Sequence, residues 1–124
     1  MWKPLLAISI ASLALAGAVP AENLPAGWTH AEINYAVNHV PHTLVLDRGK
    51  VTAVSPSSLT LHEADGSSVQ VALAPDTQVV VNGHPGQVTD IRRGANATTQ
   101  RIDGGPARLV TVHIPARLLH LPRR

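Results

Sequence analysis

The fold is decided by residues 50–82, which read KVTAVSPSSLTLHEADGSSVQVALAPDTQVVVN. Leu59 and Leu61 alternate with polar neighbours and residues 69–73 repeat the alternation, so each run has one apolar face and one face toward solvent. Between the two runs, Asp65-Gly66 is typical of a two-residue type I′ hairpin turn, because both residue types tolerate positive φ. The stretch therefore predicts short β-strands joined by tight turns.

The flanking sequence extends this pattern to six strands. They are predicted at residues 43–54, 59–62, 69–73, 77–81, 95–102 and 107–114, with turns at 55–58, 65–66, 82–83 and 103–105. Gly49 inside the first strand indicates a bulge or bend, which would let that strand pair in both halves of a barrel. Val88 and Ile91 are predicted to plug the barrel from a single helical turn. Short strands at regular spacing favour a small antiparallel barrel of five to six strands.

One short amphipathic helix, at about residues 30–38, is predicted to precede the barrel. Thr29 and Glu32 have the spacing of a capping box, and Pro41 would prevent continuation. The apolar positions recur at helical spacing at Ile33, Ala36, Val37 and Val40. Such a helix is too short to be stable alone, so we expect it to lie against one open end of the barrel.

Residues 1–21 have the features of a secretory signal peptide. Lys3 supplies positive charge, residues 5–15 are apolar or small, and cleavage fits after Ala18 or Ala21. The alternative is an uncleaved membrane anchor, but the apolar run is shorter than the roughly 20 residues that a spanning helix needs. We therefore expect an exported protein, periplasmic or extracellular, with no membrane span after cleavage.

The predicted organisation of the mature chain has three parts. Residues 22–42 form an N-terminal lead and the short helix, residues 43–115 form the barrel, and residues 116–124 form a basic tail. The tail extends the last strand, forms a short helical turn or stays loose. Of the nine Lys and Arg in residues 22–124, three lie in the last eight residues, so the high pI belongs to the tail.

The core is predicted to be aliphatic and free of disulfides. Residues 22–124 contain 13 Val, 10 Leu and 4 Ile but no Phe and no Cys. Branched aliphatic side chains suit a narrow, strongly curved sheet. Cohesion must therefore come from the packing of branched aliphatic side chains.

A resemblance is carried by residues 49–83, GKVTAVSPSSLTLHEADGSSVQVALAPDTQVVVNG, followed by VTDIRRG and DGGPARLVTVHI. With its Gly-x-Val-x-x-Val opening, Asp-Gly hairpin, Val-rich strand and closing Ala-x-x-Val strand, the chain resembles a small β-barrel domain of unknown function found in exported bacterial proteins. It departs from that pattern where Ala95, rather than Asp, follows Gly94. The resemblance implies a mainly β fold, similar in shape to the oligonucleotide/oligosaccharide-binding (OB) barrel, and it implies no activity.

Nucleic-acid binding is not expected despite that shape. Single-strand binders stack bases on aromatic side chains along a basic groove, and residues 50–114 contain no aromatic residue and no excess of basic ones. Arg92-Arg93, with Arg101 and Arg108, could form a small anion-binding patch. A solvated basic face is the favoured interpretation of these four residues.

Histidine offers the other candidate site. His39 and His42, with His62 or His113 as a third ligand, could hold copper or zinc, since imidazole and carboxylate are the good ligands left in a chain without cysteine. Scattered surface histidines are the alternative interpretation. We predict no cofactor.

A catalytic centre is not predicted. No Ser lies in a strand-to-helix elbow and no Asp/Glu pair has a distinctive context. The sequence therefore predicts an exported, non-catalytic binding or interaction module for an unknown protein or cell-envelope ligand, with barrel mouths and sheet edges as contact surfaces. A periplasmic metal-ion binding protein that uses the histidines is the alternative.

Overall fold

The structure, a computed structural model, describes residues 24–119. In that range the strands are β1 (His30–Val37), β2 (Val40–Ser55), β3 (Ser58–His62), β4 (Ser68–Val81), β5 (His84–Gly86), β6 (Asn96–Ile102) and β7 (Ala107–His113). A 3-10 turn spans Val88–Asp90, and a four-residue helix, α1, spans Ala116–Leu119. The predicted signal peptide, residues 1–21, lies outside the described residues.

Five strands close into a barrel because β2 pairs along both of its edges. The order is β2-β3-β4-β7-β6, and β6 returns to β2 with Leu44 opposite Ile102 and Lys50 opposite Asn96. The predicted fold class, a small mainly β barrel, is confirmed, and the shape is consistent with an OB-like barrel. The sheet is not wholly antiparallel, since β4 and β7 run parallel. A parallel pair needs a long connection, which β5, the 3-10 turn and β6 provide.

The two strands predicted at residues 69–73 and 77–81 are one bent strand, β4. Its pairing with β7 shifts register between Leu73 and Gln78. At this irregularity the Thr77 hydroxyl accepts the Ala74 N–H at 2.8 Å and donates to the Ala107 carbonyl at 2.6 Å. The side chain thus satisfies backbone groups that the interrupted ladder would leave unpaired.

The turns follow the predicted positions, with one difference of type. Asn82-Gly83 and Asp103-Gly104 each have two consecutive positive φ angles, 50° and 83° and then 57° and 73°, as a type I′ turn requires. At the β3–β4 connection only Gly66 has positive φ, and the Glu63 N–H donates to the Ser67 carbonyl at 2.8 Å. This connection is therefore a three-residue loop rather than the two-residue turn that Asp65-Gly66 predicts.

The predicted helix at residues 30–38 is wrong, because this segment forms strand β1. It pairs antiparallel with β2 from His30 opposite Asp47 to Val37 opposite Val40. The two residues between the strands, Asn38 and His39, both adopt positive φ, 51° and 67°. A tight turn built without glycine therefore makes a hairpin where the helical spacing predicted a helix.

The core is aliphatic, as predicted. Its fully buried side chains include Leu59, Leu61, Val71, Val110 and Val112. Ile91 is buried and Val88 packs against the core, which confirms the plug. Leu118 of α1 is also buried, so the described part of the tail takes the helical-turn alternative. No helix within residues 24–119 has the length and hydropathy to cross a membrane.

Gly49 lies where the chain leaving β3 passes close to β2. A Cβ at this position would lie 2.6 Å from the His62 carbonyl oxygen and 3.2 Å from the Glu63 Cα. The register shift in β2 falls between Val51 and Ala53, so the role of Gly49 is close approach between backbones.

Gly49→Ala should lower the free energy of unfolding by about 2–3 kcal/mol or prevent folding, because backbone atoms must move to admit the methyl group. The measurement is urea denaturation of the mature protein. Gly104→Ala is the control, since its Cβ would meet nothing within 4 Å and the cost is limited to a left-handed φ, about 1 kcal/mol. Equal losses in the two variants would contradict the close approach at Gly49.

Candidate functional site

The structure contains a polar cluster, defined here as Asp47, Glu63, Thr99, Arg101 and His30, of which the first three are buried. Asp47 is 2%, Glu63 4% and Thr99 0% exposed, and these are the buried polar residues in the described part of the chain. The fold brings them together because Asp47 on β2 lies opposite Thr99 on β6 and opposite His30 at the start of β1. Burial of two carboxylates requires partners, because an isolated buried charge is very costly.

Asp47 is the centre of the cluster. Its Oδ1 lies 2.7 Å from His30 Nδ1, and its Oδ2 lies 3.3 Å from Arg101 Nη2. The other ring nitrogen of His30 lies 2.9 Å from Glu32 Oε2, so the imidazole faces a carboxylate on each side. The hydrogen bond to Asp47, followed by that to Glu32, raises the pKa of His30. A protonated ring with two N–H donors satisfies both contacts.

Glu63 is the acidic side chain with the most altered proton affinity in the cluster. Burial, then a hydrogen bond to Asp47 and the charge of that carboxylate, raise the pKa of Glu63 to about 7. The Ser67 hydroxyl donates to its Oε1 at 3.3 Å, whereas Oε2 has no donor partner within the described part of the chain. A neutral carboxyl costs less to bury than an ionised one, so the raised pKa agrees with a buried Oε2 that lacks a hydrogen-bond partner among the described residues. The cluster can therefore exchange a proton near neutral pH.

Sequence reasoning missed this cluster, although one signal was present. Asp47 occupies a position of the predicted first strand that shares a face with Val45 and Val51, where alternation calls for an apolar residue. A carboxylate on the core-facing side of a strand indicates a buried partner. The partner Glu63 lies beyond the next strand, and nothing local marks it.

A second feature is the projecting end of the β1–β2 hairpin, which we call the arm (residues 34–43). β2 pairs with β6 only from Leu44 onward, so the arm has no third strand among the described residues, and residues 34–41 are all exposed. Tyr35 is 37%, Val37 50% and Val40 52% exposed. With Leu119, they are the exposed large hydrophobic residues in the range the structure describes.

The arm is fixed to the barrel by the β6–β7 turn. Asp103 of that turn accepts the Thr43 N–H at 2.8 Å and lies 2.6 Å from His42 Nδ1, and its own N–H donates to the Thr43 carbonyl at 2.9 Å. The His42 ring stacks on Tyr35 with ring centroids 5.5 Å apart. The Thr43 N–H, then His42, lower the pKa of Asp103. An isolated two-stranded ribbon is marginally stable, so these contacts are what order the arm.

The structure places the predicted metal ligands on separate elements. His39 in the β1–β2 turn and His42 on β2 both belong to the arm, whereas His62 lies at the end of β3 and His113 at the end of β7. Within residues 24–119 no group of three or more His, Asp or Glu side chains is arranged to hold a metal ion. Two of the four predicted basic-patch residues are engaged internally: Arg101 binds Asp47, and Arg92 donates to the Leu118 carbonyl.

Metal binding by His39 and His42 stays a prediction, which calorimetric titration with Cu(II) and Zn(II) checks. One-to-one binding with a micromolar or lower Kd that is lost in the His39→Ala/His42→Ala double variant would support it. A wild-type protein that takes up neither ion would exclude it.

Comparison with models of protein families, with curated proteins and with solved structures gives no match to this chain. The closed five-stranded barrel is consistent with the OB-like shape that the resemblance implies.

Asp47→Asn should lower the free energy of unfolding by about 3 kcal/mol, because it leaves the Arg101 guanidinium, 20% exposed, without its counter-charge. The measurement is denaturant unfolding at pH 6. Asp76→Asn is the matched control, since Asp76 is exposed on β4 and a surface substitution changes stability by only about 0.5 kcal/mol. Similar small losses in both variants would mean that Asp47 does not organise the cluster.

Proposed function

We propose that this protein is an exported, non-catalytic binding module of the bacterial cell envelope that engages a partner protein through the tip of its arm. The observation that carries the proposal is the concentration of exposed apolar side chains at that tip, Tyr35, Val37 and Val40. Contiguous exposed apolar surface is uncommon on soluble monomers and is typical of interaction sites.

The geometry of the arm supports this role. Val37 lies opposite Val40, and Tyr35 lies opposite His42, so these four side chains share one face of the hairpin. The Asp103 contacts hold the base of that hairpin against the barrel. A preorganised surface loses little conformational entropy on binding, which favours affinity.

The non-catalytic part of the proposal is supported by the roles of the serines. The Ser55 hydroxyl accepts the Ser58 N–H at 3.1 Å, and the Ser67 hydroxyl donates to Asp65 Oδ1 at 2.6 Å. These side chains cap turns, which is the ordinary structural use of serine beside a strand. Export is supported by the signal-like features of residues 1–21, and mass spectrometry of the mature N-terminus tests it by locating cleavage after Ala18 or Ala21.

The Val37→Thr/Val40→Thr double variant should reduce recovery of the partner from an envelope extract at least tenfold, because each hydroxyl makes the tip more polar. Threonine keeps the β-branched shape, so the hairpin should stay folded. The measurement is quantitative affinity capture with immobilised mature protein, and thermal unfolding checks that both proteins have the same stability.

Leu119→Gln is the control for this experiment, because Leu119 is 48% exposed on α1, outside the arm. It should recover the partner as well as wild type does. Equal recovery by all three proteins would place the binding surface elsewhere, and equal loss in both variants would indicate non-specific hydrophobic capture.

A further inference from the structure

Strand β1 has an open edge along its whole length in the described part of the chain. It pairs there with β2 alone, and the Arg48 N–H that donates to the Thr29 carbonyl fixes which residues face β2. Backbone bonding alternates along an antiparallel ladder, so the N–H and C=O groups of residues 31, 33, 35 and 37 point toward β2. Those of residues 30, 32, 34 and 36 point away from it, and no hydrogen bond within residues 24–119 reaches them.

The other edge of the arm, on β2, is closed. The same alternation makes residues 41 and 43 face outward on this side. Pro41 has no N–H to offer, and both the N–H and the carbonyl of Thr43 are bound to Asp103. Proline and covered backbone groups are means by which proteins protect a sheet edge from another chain. The β2 edge of the arm is therefore unsuited to accept a strand.

Strand β1 lacks such protection. Its eight residues pair with β2 in unbroken register, without a bulge. They include no proline and no lysine, and Glu32 is their one Asp, Glu, Lys or Arg residue. Natural sheet edges are usually short, bulged or interrupted by proline or lysine, because an edge without these features pairs with other strands. The open edge of β1 is therefore suited to strand addition.

We propose that the open edge of β1 pairs antiparallel with β1 of a second copy of this chain, which joins the two hairpins into one continuous sheet. The outward residues each offer a donor and an acceptor, so two copies related by a two-fold axis satisfy each other's groups. This pairing uses the edge of the arm, whereas the partner protein proposed above binds its apolar face, so neither proposal depends on the other.

The charge of Glu32 selects the register of this pairing. Registers centred on Ile33 or on Asn34 give the longest overlap of the two strands. Centring on Ile33 makes the two Glu32 carboxylates diagonal neighbours on one face, where like charges repel. Centring on Asn34 instead places Glu32 opposite Ala36 of the second copy and separates the two carboxylates by about 13 Å along the strands. We therefore expect Asn34 to lie on the two-fold axis.

The same register also matches the apolar side chains. Tyr35 lies opposite Ile33 of the second copy and Val37 lies opposite Ala31, all on the face of the hairpin that carries Val40. Side chains directly opposite each other in a sheet are close enough to pack together, and aromatic with β-branched pairs are among the favourable combinations. The pairing thus joins the apolar faces of two arms into one larger surface.

Sedimentation velocity of the purified mature protein, from micromolar to millimolar concentration, tests the pairing. Wild type should form a reversible dimer with a micromolar Kd, because one strand per copy makes a small interface. Ala36→Pro should weaken the dimer at least tenfold, since it removes an N–H of the open edge and leaves the bonds to β2 in place. Ala36→Ser keeps that N–H and is the matched control, which should dimerise as wild type does.

Charge substitutions at the same position test the register, and they keep the proposal testable if Ala36→Pro does not fold. Ala36→Lys places a cation opposite Glu32 of the second copy and should tighten the dimer about threefold. Ala36→Glu places a like charge there and should weaken the dimer by a similar factor. Both effects should diminish at high salt, because the side chains are exposed.

Three results would overturn the proposal. The first is a monomer throughout the concentration range. The second is a dimer that Ala36→Pro leaves unchanged but that Val37→Thr/Val40→Thr abolishes, which would assign the contact to the apolar faces. The third is hydrogen-exchange protection of the residue 32, 34 and 36 amides that does not depend on protein concentration, which would mean that another segment of the same chain covers the edge.

Discussion

Hydrogen bonding along both edges of β2 is the constraint on which the other elements depend. One edge is shared end to end by β1 and β3, and the other edge is occupied by β6. Beyond His30 the β1–β2 register continues for one more pair, since the Arg48 N–H donates to the Thr29 carbonyl at 2.8 Å. At this junction the chain that leaves β3 crosses close to Gly49, and the polar cluster occupies the space beside it. Barrel closure and the position of the arm both follow from the length of this one strand.

The barrel interior contains two kinds of packing, one aliphatic and one polar. Aliphatic side chains fill most of it, and small residues at Ala95, Ala97 and Ala107 lie fully or almost fully buried where larger ones would not fit a narrow barrel. The polar cluster interrupts this packing with charges that apolar residues of similar volume could replace, often without loss of stability. The presence of an Asp, a Glu and an Arg at such positions is therefore a feature that core packing alone does not explain.

The sequence predicted the structure correctly where a local pattern fits one kind of element. It failed where a pattern fits two. Alternation at Leu59 and Leu61 and the positive-φ residues of Asn82-Gly83 predicted strands and a turn correctly. In β1, Ile33 and Val37 fit a helical stripe and a strand face equally well, and only the pairing with β2 decides between them. The turn at Asn38-His39 lacks the glycine that usually identifies a type I′ hairpin.

The polar cluster was harder to predict because its residues come together only when the barrel closes. Arg101 and Asp47 are 54 residues apart in the sequence, and no local pattern relates them. The arm was missed for a different reason, because its apolar residues Val37 and Val40 were assigned to the apolar face of a helix. Their exposure becomes evident only from the strand pairing, in which β2 extends beyond the end of β6.

The parallel pairing of β4 with β7 has a consequence for how the chain folds. This pairing and the pairing of β2 with β6 both join segments that lie far apart in the sequence. The closed barrel therefore has a high contact order. Chains dominated by such distant pairings fold in about milliseconds to seconds, far more slowly than helical bundles of similar size. The β3–β4 hairpin, in contrast, joins neighbouring segments, so its pairing closes a short loop at a small entropic cost.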